Sequence, residues 1–200
     1  TANTRYDFYV KSNCSTTDES RYAMQGASAW TAQNPATIPY AYDFENATEW
    51  GNWASVSNRD TVKWYRGTAT AAQGTNSMYI SKDAGATNST VSGTINATTY
   101  RDFDFGANDT NYTVTFKAKA GGRTDGNYDG LMLYLVDPWL DVTSSNSALT
   151  TPWGSVNDVP PINGLFVRLD TVFNEYSVEL DAVSGVKRLA FFYFNQTYTE

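Results

Sequence analysis

Apolar and polar residues alternate along most of this chain, which is the spacing of half-buried β-strands. The segments 112–118 and 176–180 each place an apolar or aromatic residue at every second position. Two other segments, 131–136 and 189–194, are apolar without alternation, which is typical of central strands covered on both faces. Since no segment of helical period is longer than a turn or two, the pattern predicts an all-β protein.

Turn-forming residues divide the larger part of the chain into short strands. The strands expected from Tyr40 onward are 40–45, 62–67, 77–82, 90–95, 99–105, 111–119, 128–136, 164–170, 174–180 and 186–194. Strands of this length and spacing predict a sandwich of two facing antiparallel sheets. The side chains expected between the sheets are Phe44, Trp64, Tyr79, Phe116, Leu133 and Phe191.

A separate strand pattern opens the chain. Residues 4–10 read Thr-x-Tyr-x-Phe-x-Val, so their apolar residues share one face. The segment resembles the sixth strand of a fibronectin type III domain, with Tyr6 at its tyrosine-corner position. On that resemblance, residues 26–32 would be the last strand of the same domain.

A domain boundary is expected after these two strands. Pro35 and Pro39 stand in a short polar stretch, as is common in linkers. The predicted organisation is therefore a partial fibronectin type III-like domain at 1–34, a linker at 35–39 and the main sandwich at 40–200. Because two strands do not make a stable sandwich alone, the apolar face of the first part is expected to be covered by protein outside this segment.

The composition also narrows the classes of partner. The 200 residues include 14 Lys and Arg against 21 Asp and Glu, for a net charge of −7. A nucleic-acid partner would need a basic face, so none is expected. The longest apolar run, 131–136, is too short to span a bilayer, so no membrane insertion is expected either.

Histidine is absent and Cys14 is the only cysteine, so no catalytic residue is predicted and the protein is not expected to be an enzyme.

One succession of segments resembles a known family. Residues 40–53 read Tyr-Ala-Tyr-Asp-Phe-Glu-Asn-Ala-Thr-Glu-Trp-Gly-Asn-Trp. They are followed by Lys-Trp-Tyr-Arg-Gly at 63–67, Ser-Met-Tyr-Ile-Ser at 77–81 and Tyr-Arg-Asp-Phe at 100–103. This order resembles the jelly-roll domains of the cleaved-adhesin and choice-of-anchor J type, relatives of MAM domains that occur in surface proteins of Bacteroidetes. The resemblance implies a jelly-roll sandwich with a role in adhesion.

The same resemblance concerns the end of the chain. Residues 187–195 are similar to the penultimate core strand of the family, which normally continues with a loop and a closing strand, whereas this sequence stops at Glu200. The jelly roll is therefore expected to lack its last strand. Either another polypeptide supplies that strand or the sequence is a segment of a longer protein, and the second interpretation is favoured.

Calcium is the candidate cofactor. It takes several hard oxygen ligands from carboxylates, amides and backbone carbonyls. In the family, an acidic residue of the first-strand motif often contributes to a calcium site, and the matching positions here are Asp43 and Glu45. Asp129 is expected to approach the same rim. Against a structural calcium ion, the family's Asp-Gly-Asp-Gly loop is reduced to Ser-Asn-Arg-Asp at 57–60, and surface acids remain the alternative.

Two tryptophans are the candidate ligand contacts. Trp139 and Trp153 lie in the long segment 137–161, which contains four prolines. Long ordered loops in compact domains are often functional, and aromatic faces stack on sugar rings. The alternative for each tryptophan is that it anchors the loop against the sandwich. The expected ligand is a glycan or a neighbouring protein domain.

Paired carboxylates are the remaining candidate chemistry. Asp102 and Asp104 share one face of a predicted strand, as do Asp43 and Glu45, and such pairs could serve glycoside hydrolysis. Solvated positions at a strand edge are the favoured explanation.

These observations favour a non-catalytic adhesion module of a large extracellular protein, of the kind that the type IX system exports to the bacterial cell surface. The alternatives are a carbohydrate-binding module attached to a secreted hydrolase and a purely structural stalk repeat. Tandem copies of the unit would favour the stalk, and a neighbouring catalytic domain would favour the carbohydrate-binding module.

Overall fold

The fold is built almost entirely of strands. The computed structural model describes residues 5–15, 17–22, 27–121, 129–140, 142, 149, 160–168 and 170–195. These residues form fourteen β-strands, one short α-helix and one 3-10 helix. The all-β class that the sequence predicts is confirmed. The chain divides into two compact units, Thr1–Asn34 and Pro35–Glu200.

The first unit contains two short antiparallel pairs of strands. Its strands are β1 (Arg5–Phe8), β2 (Asn13–Ser15), β3 (Asp18–Glu19) and β4 (Ala27–Trp30). β1 pairs with β4, and β2 pairs with β3. The pairing of β1 with β4 joins the two segments in which the sequence predicts strands, whereas the hairpin of β2 and β3 is additional.

The apolar face of the first unit is open. Tyr6, Phe8 and Val10 are 42%, 55% and 75% exposed. The expectation that protein outside the segment covers this face stays a prediction, as does the relation to fibronectin type III domains.

The second unit contains ten strands. They are β5 (Ala36–Thr37), β6 (Ala54–Ser57), β7 (Lys63–Gly67), β8 (Ser77–Ser81), β9 (Ile95–Asp104), β10 (Thr110–Ala120), β11 (Asp129–Val136), β12 (Phe166–Val167), β13 (Asp170–Val183) and β14 (Val186–Asn195). The helix α1 (Ala47–Trp50) follows β5, and the 3-10 helix Ile162–Gly164 precedes β12.

Six of these strands form one sheet. Its order is β12, β11, β14, β9 and β5, and β6 pairs with another part of β9. All of these pairings are antiparallel except that of β5 with β9. In the centre, Leu133 of β11 stands opposite Phe191 of β14, which stands opposite Thr99 of β9.

The second layer consists of two separate strand pairs. β7 pairs with β8, and β10 pairs with β13, both in antiparallel orientation. In the part of the chain that the structure describes, neither strand pair is hydrogen-bonded to the other as a sheet. Their inward side chains, including Trp64, Val178 and Leu180, pack with Leu133 and Phe191 of the six-stranded sheet into one core. The two-layer sandwich that the sequence predicts is therefore present, although its second layer is divided.

The six-stranded sheet is buried on its other face as well. Three of its side chains, Met132, Tyr134 and Phe192, point away from the second layer and are at most 1% exposed. Val142 and Leu149, which follow β11, are buried in the same cluster. This double coverage explains why the central strands are apolar at successive positions and confirms that prediction.

Four of the six predicted core side chains are buried. Trp64, Leu133 and Phe191 lie between the layers. Tyr79 is buried under turns instead, because its hydroxyl donates to the Gly85 carbonyl at 2.6 Å and accepts from the Ala69 amide at 3.3 Å.

The other two predictions of burial are wrong. Phe44 is half-buried because its backbone turns at a φ of 69°, which takes the ring out of line with a strand. Phe116 is half-buried because it lies on β10, at an open edge of the second layer.

Residues 40–45, where a strand is predicted, are instead unpaired and irregular, and they lead into α1. The Arg66 side chain donates hydrogen bonds to the carbonyls of Phe44 and Glu45, so those acceptors are bound to a side chain and not to a neighbouring strand. Asn46 then begins the helix, since its side-chain oxygen accepts from the amides of Thr48 and Glu49.

Candidate functional site

The three carboxylates proposed for calcium lie in different settings. Asp43 and Glu45 are exposed in the turn before α1, whereas Asp129 begins β11, where it is 7% exposed and stands opposite Asn195. Among the described residues, no group of three or more His, Cys, Asp and Glu residues could hold a metal ion, so these three do not form one. The calcium site stays a prediction.

Glu45 has a clear structural partner. Its Oε1 accepts from the amides of Thr75 at 2.7 Å and Asn76 at 2.8 Å, and its Oε2 accepts from the Asn76 side chain at 2.6 Å. The turn comes this close because Gly74 has a φ of 64°, and a Cβ there would lie 2.5 Å from Oε1. These hydrogen bonds, first those from Asn76 and Thr75, hold the pKa of the Glu45 carboxyl below its ordinary value.

Replacing Glu45 with glutamine is expected to lower the melting temperature in a pH-dependent manner. A lowered folded-state pKa adds stability above the unfolded-state value of about 4.3. That stability is lost as the pH falls through the folded-state pKa. The difference in melting temperature between wild type and Glu45→Gln should therefore be largest near neutral pH and shrink in acid. A difference that stays constant across this range, or that Asp60→Asn reproduces, would contradict the account.

The structure places Trp139 on the surface. The side chain is 80% exposed, on the turn in which the Leu140 amide donates to the Asp137 carbonyl at 3.0 Å. Lys187 holds that turn to β14 through a 2.6 Å contact with the Asp137 carboxylate. The role of loop anchor is therefore wrong for Trp139, whose ring is open to a ligand. Trp153 lies outside the described residues.

Replacing Trp139 with alanine should change the free energy of unfolding by less than about 0.5 kcal/mol, because an exposed ring loses few contacts. The matched control is Trp53→Ala. Trp53 is 9% exposed and packs with Phe191, so its loss should cost about 3–5 kcal/mol. Denaturant unfolding measures both, and equal losses would show that Trp139 is a core residue.

One concave site was not predicted from the sequence. It is an open cleft of about 1200 Å³ in the second unit. Three runs of consecutive residues line it: 77–80 of β8, 112–120 of β10, and 38–44, the unpaired segment before α1. Consecutive lining residues include side chains from both faces of a strand, so the edges of β8 and β10 face the cleft. The cleft thus opens between the β7–β8 pair and the β10–β13 pair, with the segment 38–44 along it.

The floor of the cleft is the six-stranded sheet. Aromatic and aliphatic side chains of its strands β9, β11 and β14 line the floor; they are Phe103, Phe105, Leu131, Leu189, Phe191 and Tyr193. The inward side chains at the walls are only half-buried, although they belong to the same apolar cluster; they are Met78, Ile80, Tyr112, Val114 and Phe116. Apolar surface is therefore left open along the gap.

A hydrogen-bond network surrounds Tyr40 and Trp53, which line the cleft. Tyr40 donates from its hydroxyl to Glu49 at 2.8 Å and accepts from the Trp53 indole at 3.3 Å. Arg101 also contacts Glu49, at 3.2 Å. Burial raises the pKa of Tyr40. Burial would raise the pKa of Glu49 too, but hydrogen bonds from Asn52, Tyr40 and Arg101 outweigh it and hold that pKa below its ordinary value.

Charged groups lie along the β10–β13 side of the cleft. Lys117 of β10 stands opposite Glu175 of β13 in the register of this strand pair. The Lys119 ammonium lies 4.8 Å from the centre of the Phe173 ring. The Tyr176 hydroxyl donates to Asp170, and burial, followed by that hydrogen bond, raises the pKa of Tyr176 to about 12.

The two carboxylates predicted to share a face of β9 differ in setting. Asp104 is exposed, as expected, and accepts from the Gly106 amide at 2.9 Å. Asp102 is 1% exposed, so a solvated position is wrong for it. Arg188 donates to both of its oxygens, at 2.8 Å and 3.1 Å, and the guanidinium lies 4.1 Å from the Tyr100 ring centre. Asp102 is thus one half of a buried ion pair.

Comparison of the chain with known protein families, with curated proteins and with solved structures gives no match. Among the described residues, no helix is long and apolar enough to cross a membrane.

Proposed function

We propose that the second unit is a non-catalytic binding module whose ligand lies in the cleft between the β7–β8 and β10–β13 strand pairs. The observation that carries the proposal is the line of half-buried apolar side chains, among them Val114 and Phe116, that borders a cleft of about 1200 Å³. Ligand sites are commonly clefts of this kind, with apolar walls and a few polar groups at the rim. Because the chain contains no histidine, general acid–base catalysis at neutral pH lacks its commonest residue.

The biological setting belongs to the same proposal. The resemblance of residues 40–53 and the segments after them to cleaved-adhesin jelly rolls supports an adhesion module in a secreted or cell-surface bacterial protein. Its ligand is then a glycan or a neighbouring protein domain. A stalk repeat, the structural alternative, would not require a cleft bordered by half-buried apolar side chains.

A carbohydrate-binding module is the second candidate, and the exposure of Trp139 favours it. An exposed tryptophan on a turn that is held to the sheet offers a flat face to a sugar ring at little cost in conformational entropy. On this alternative the ligand would lie at Trp139 and not in the cleft.

Binding by three variants separates the two sites. Immobilised glycans and purified extracellular matrix proteins serve as the ligands, with calcium present and absent. Val114→Lys places a charge at the half-buried wall of the cleft. Val172→Lys makes the same change at a side chain that is 66% exposed and does not line the cleft. Trp139→Ala removes the exposed ring.

The proposal predicts that Val114→Lys loses binding, whereas Val172→Lys and Trp139→Ala keep it. The reverse result for Val114→Lys and Trp139→Ala would assign the ligand to the Trp139 surface. Equal binding by all variants, or no binding of any ligand, would overturn the proposal. Circular dichroism melts establish that each variant is folded, and unchanged melting in excess chelator would remove the calcium prediction.

A further inference from the structure

We infer that the cleft accepts an extended β-strand from another protein, which pairs with β8 on one side and with β10 on the other. The inference rests on the proposed function and names the class of its ligand. Three features of the cleft support a strand: its two backbone edges, its open apolar rows and the length of those edges.

Two of the three walls, β8 and β10, are strand edges that no described strand occupies, and the third, residues 38–44, is not part of a strand. β8 is hydrogen-bonded to β7 alone, and β10 to β13 alone, among the residues that the structure describes. Each strand therefore presents a row of amide and carbonyl groups on the side that faces the cleft. An added strand satisfies such a row through main-chain hydrogen bonds, and one placed between two edges satisfies both.

The side chains around the gap match the alternation of a strand. Val114 and Phe116 of β10 and Met78 and Ile80 of β8 point inward and are half-buried. A strand between them would direct every second side chain onto the same apolar floor. Its other side chains would lie beside the outward row of β10, which includes Lys117. The fitting partner thus has apolar residues at alternate positions, with polar or acidic residues between them.

The length of the strand edges also fits. β8 presents residues 77–80 to the cleft and β10 presents residues 112–120. Edges of this length match an ordinary strand, which has about 3–10 residues. A strand in this position would join the two strand pairs into one continuous layer.

Selection from a display library of nine-residue peptides tests the inference. The library is offered to the whole chain, and enriched peptides are remade synthetically for affinity measurements. We expect them to alternate apolar and polar residues, to lack proline in the middle and to lose binding with Val114→Lys. Val172→Lys is the control and should bind as the wild type does.

Backbone methylation of the best peptide shows whether both edges are used. In a strand, the amides of alternate residues point to opposite sides, so N-methylation at every second residue blocks one edge and N-methylation at the others blocks the opposite edge. Both methylated peptides should bind about tenfold more weakly or worse. Because only the peptide changes, misfolding of a variant cannot produce this result.

Each contrary outcome has a distinct meaning. If no alternating peptide is enriched, or if either methylated peptide binds normally, the inserted strand is wrong. Binding of a glycan that Val114→Lys abolishes would then leave the proposed function standing, and the absence of any cleft-dependent binding would remove both. If the chain alone forms dimers in sedimentation that Val114→Lys dissociates, a second copy fills the cleft and the inference is wrong.

Discussion

Replacing either Phe191 or Phe192 with alanine is expected to lower the free energy of unfolding by about 3–5 kcal/mol. The two residues are neighbours on β14, so their side chains point to opposite faces of the sheet. Phe191 is 4% exposed beneath the second layer, and Phe192 is 1% exposed in the cluster that contains Val142 and Leu149. In a sheet with one solvated face, one of the two substitutions would be tolerated.

Denaturant unfolding at equilibrium measures this prediction. Val186→Ala on the same strand is the control, because Val186 is 38% exposed and should lose little. A small effect of Phe192→Ala beside a large effect of Phe191→Ala would show that the second face of the sheet is not packed, and would contradict the two-sided core.

Breaking the buried ion pair is expected to have an effect of similar size. Asp102→Asn removes the charge that Arg188 faces, and an uncompensated buried charge costs about 3–5 kcal/mol. The matched control is Asp104→Asn, two residues along the same face of β9. Asp104 is exposed, and asparagine can still accept from the Gly106 amide, so the control should change stability by less than about 0.5 kcal/mol.

A double substitution tests the reason for this effect. If the cost comes from the unpaired guanidinium, Asp102→Leu combined with Arg188→Met should be less destabilising than Asp102→Leu alone. Equal losses by Asp102→Asn and Asp104→Asn would show that the pair contributes nothing particular to stability.

The strands of the fold could largely be predicted from the sequence because local patterns determine them. The alternation in 112–118 and 176–180 appears as the paired strands β10 and β13. The apolar runs appear as central strands for the same reason. Where a side chain competes for the backbone, the local pattern is misleading: at 40–45 Arg66 binds the carbonyls that a strand would have used.

The cleft could not be predicted in the same way. The sequence correctly indicates that Val114 and Phe116 point inward, yet burial of an inward row depends on which strand lies beside it. The separation of β8 from β10 is a property of two segments about thirty residues apart, and no local spacing encodes it. The same limit applies to Asp102, whose partner Arg188 is distant in sequence and meets it only through the register of β9 and β14.

The settings of the tryptophans could be predicted only in part, since the strand pattern places Trp64 in the core but leaves Trp139 open between a loop anchor and a ligand contact. Trp53, Trp64 and Trp139 are identical in chemistry, but the first two are at most 9% exposed and the third is 80% exposed. Their sequence neighbours explain the difference in part, since Pro138 beside Trp139 disfavours a continued strand. Only the structure shows that the ring of Trp139 is open to solvent.

The central claim is that the ligand lies between the β7–β8 and β10–β13 strand pairs. Hydrogen exchange in the presence of ligand tests it most directly. The amides of residues 77–81 and 110–120 should become protected together when a binding peptide or glycan is added, because both strands wall the cleft. Exchange elsewhere on the sandwich should change little. Protection confined to residues near Trp139, or unchanged exchange in both strands at saturating ligand, would contradict the account.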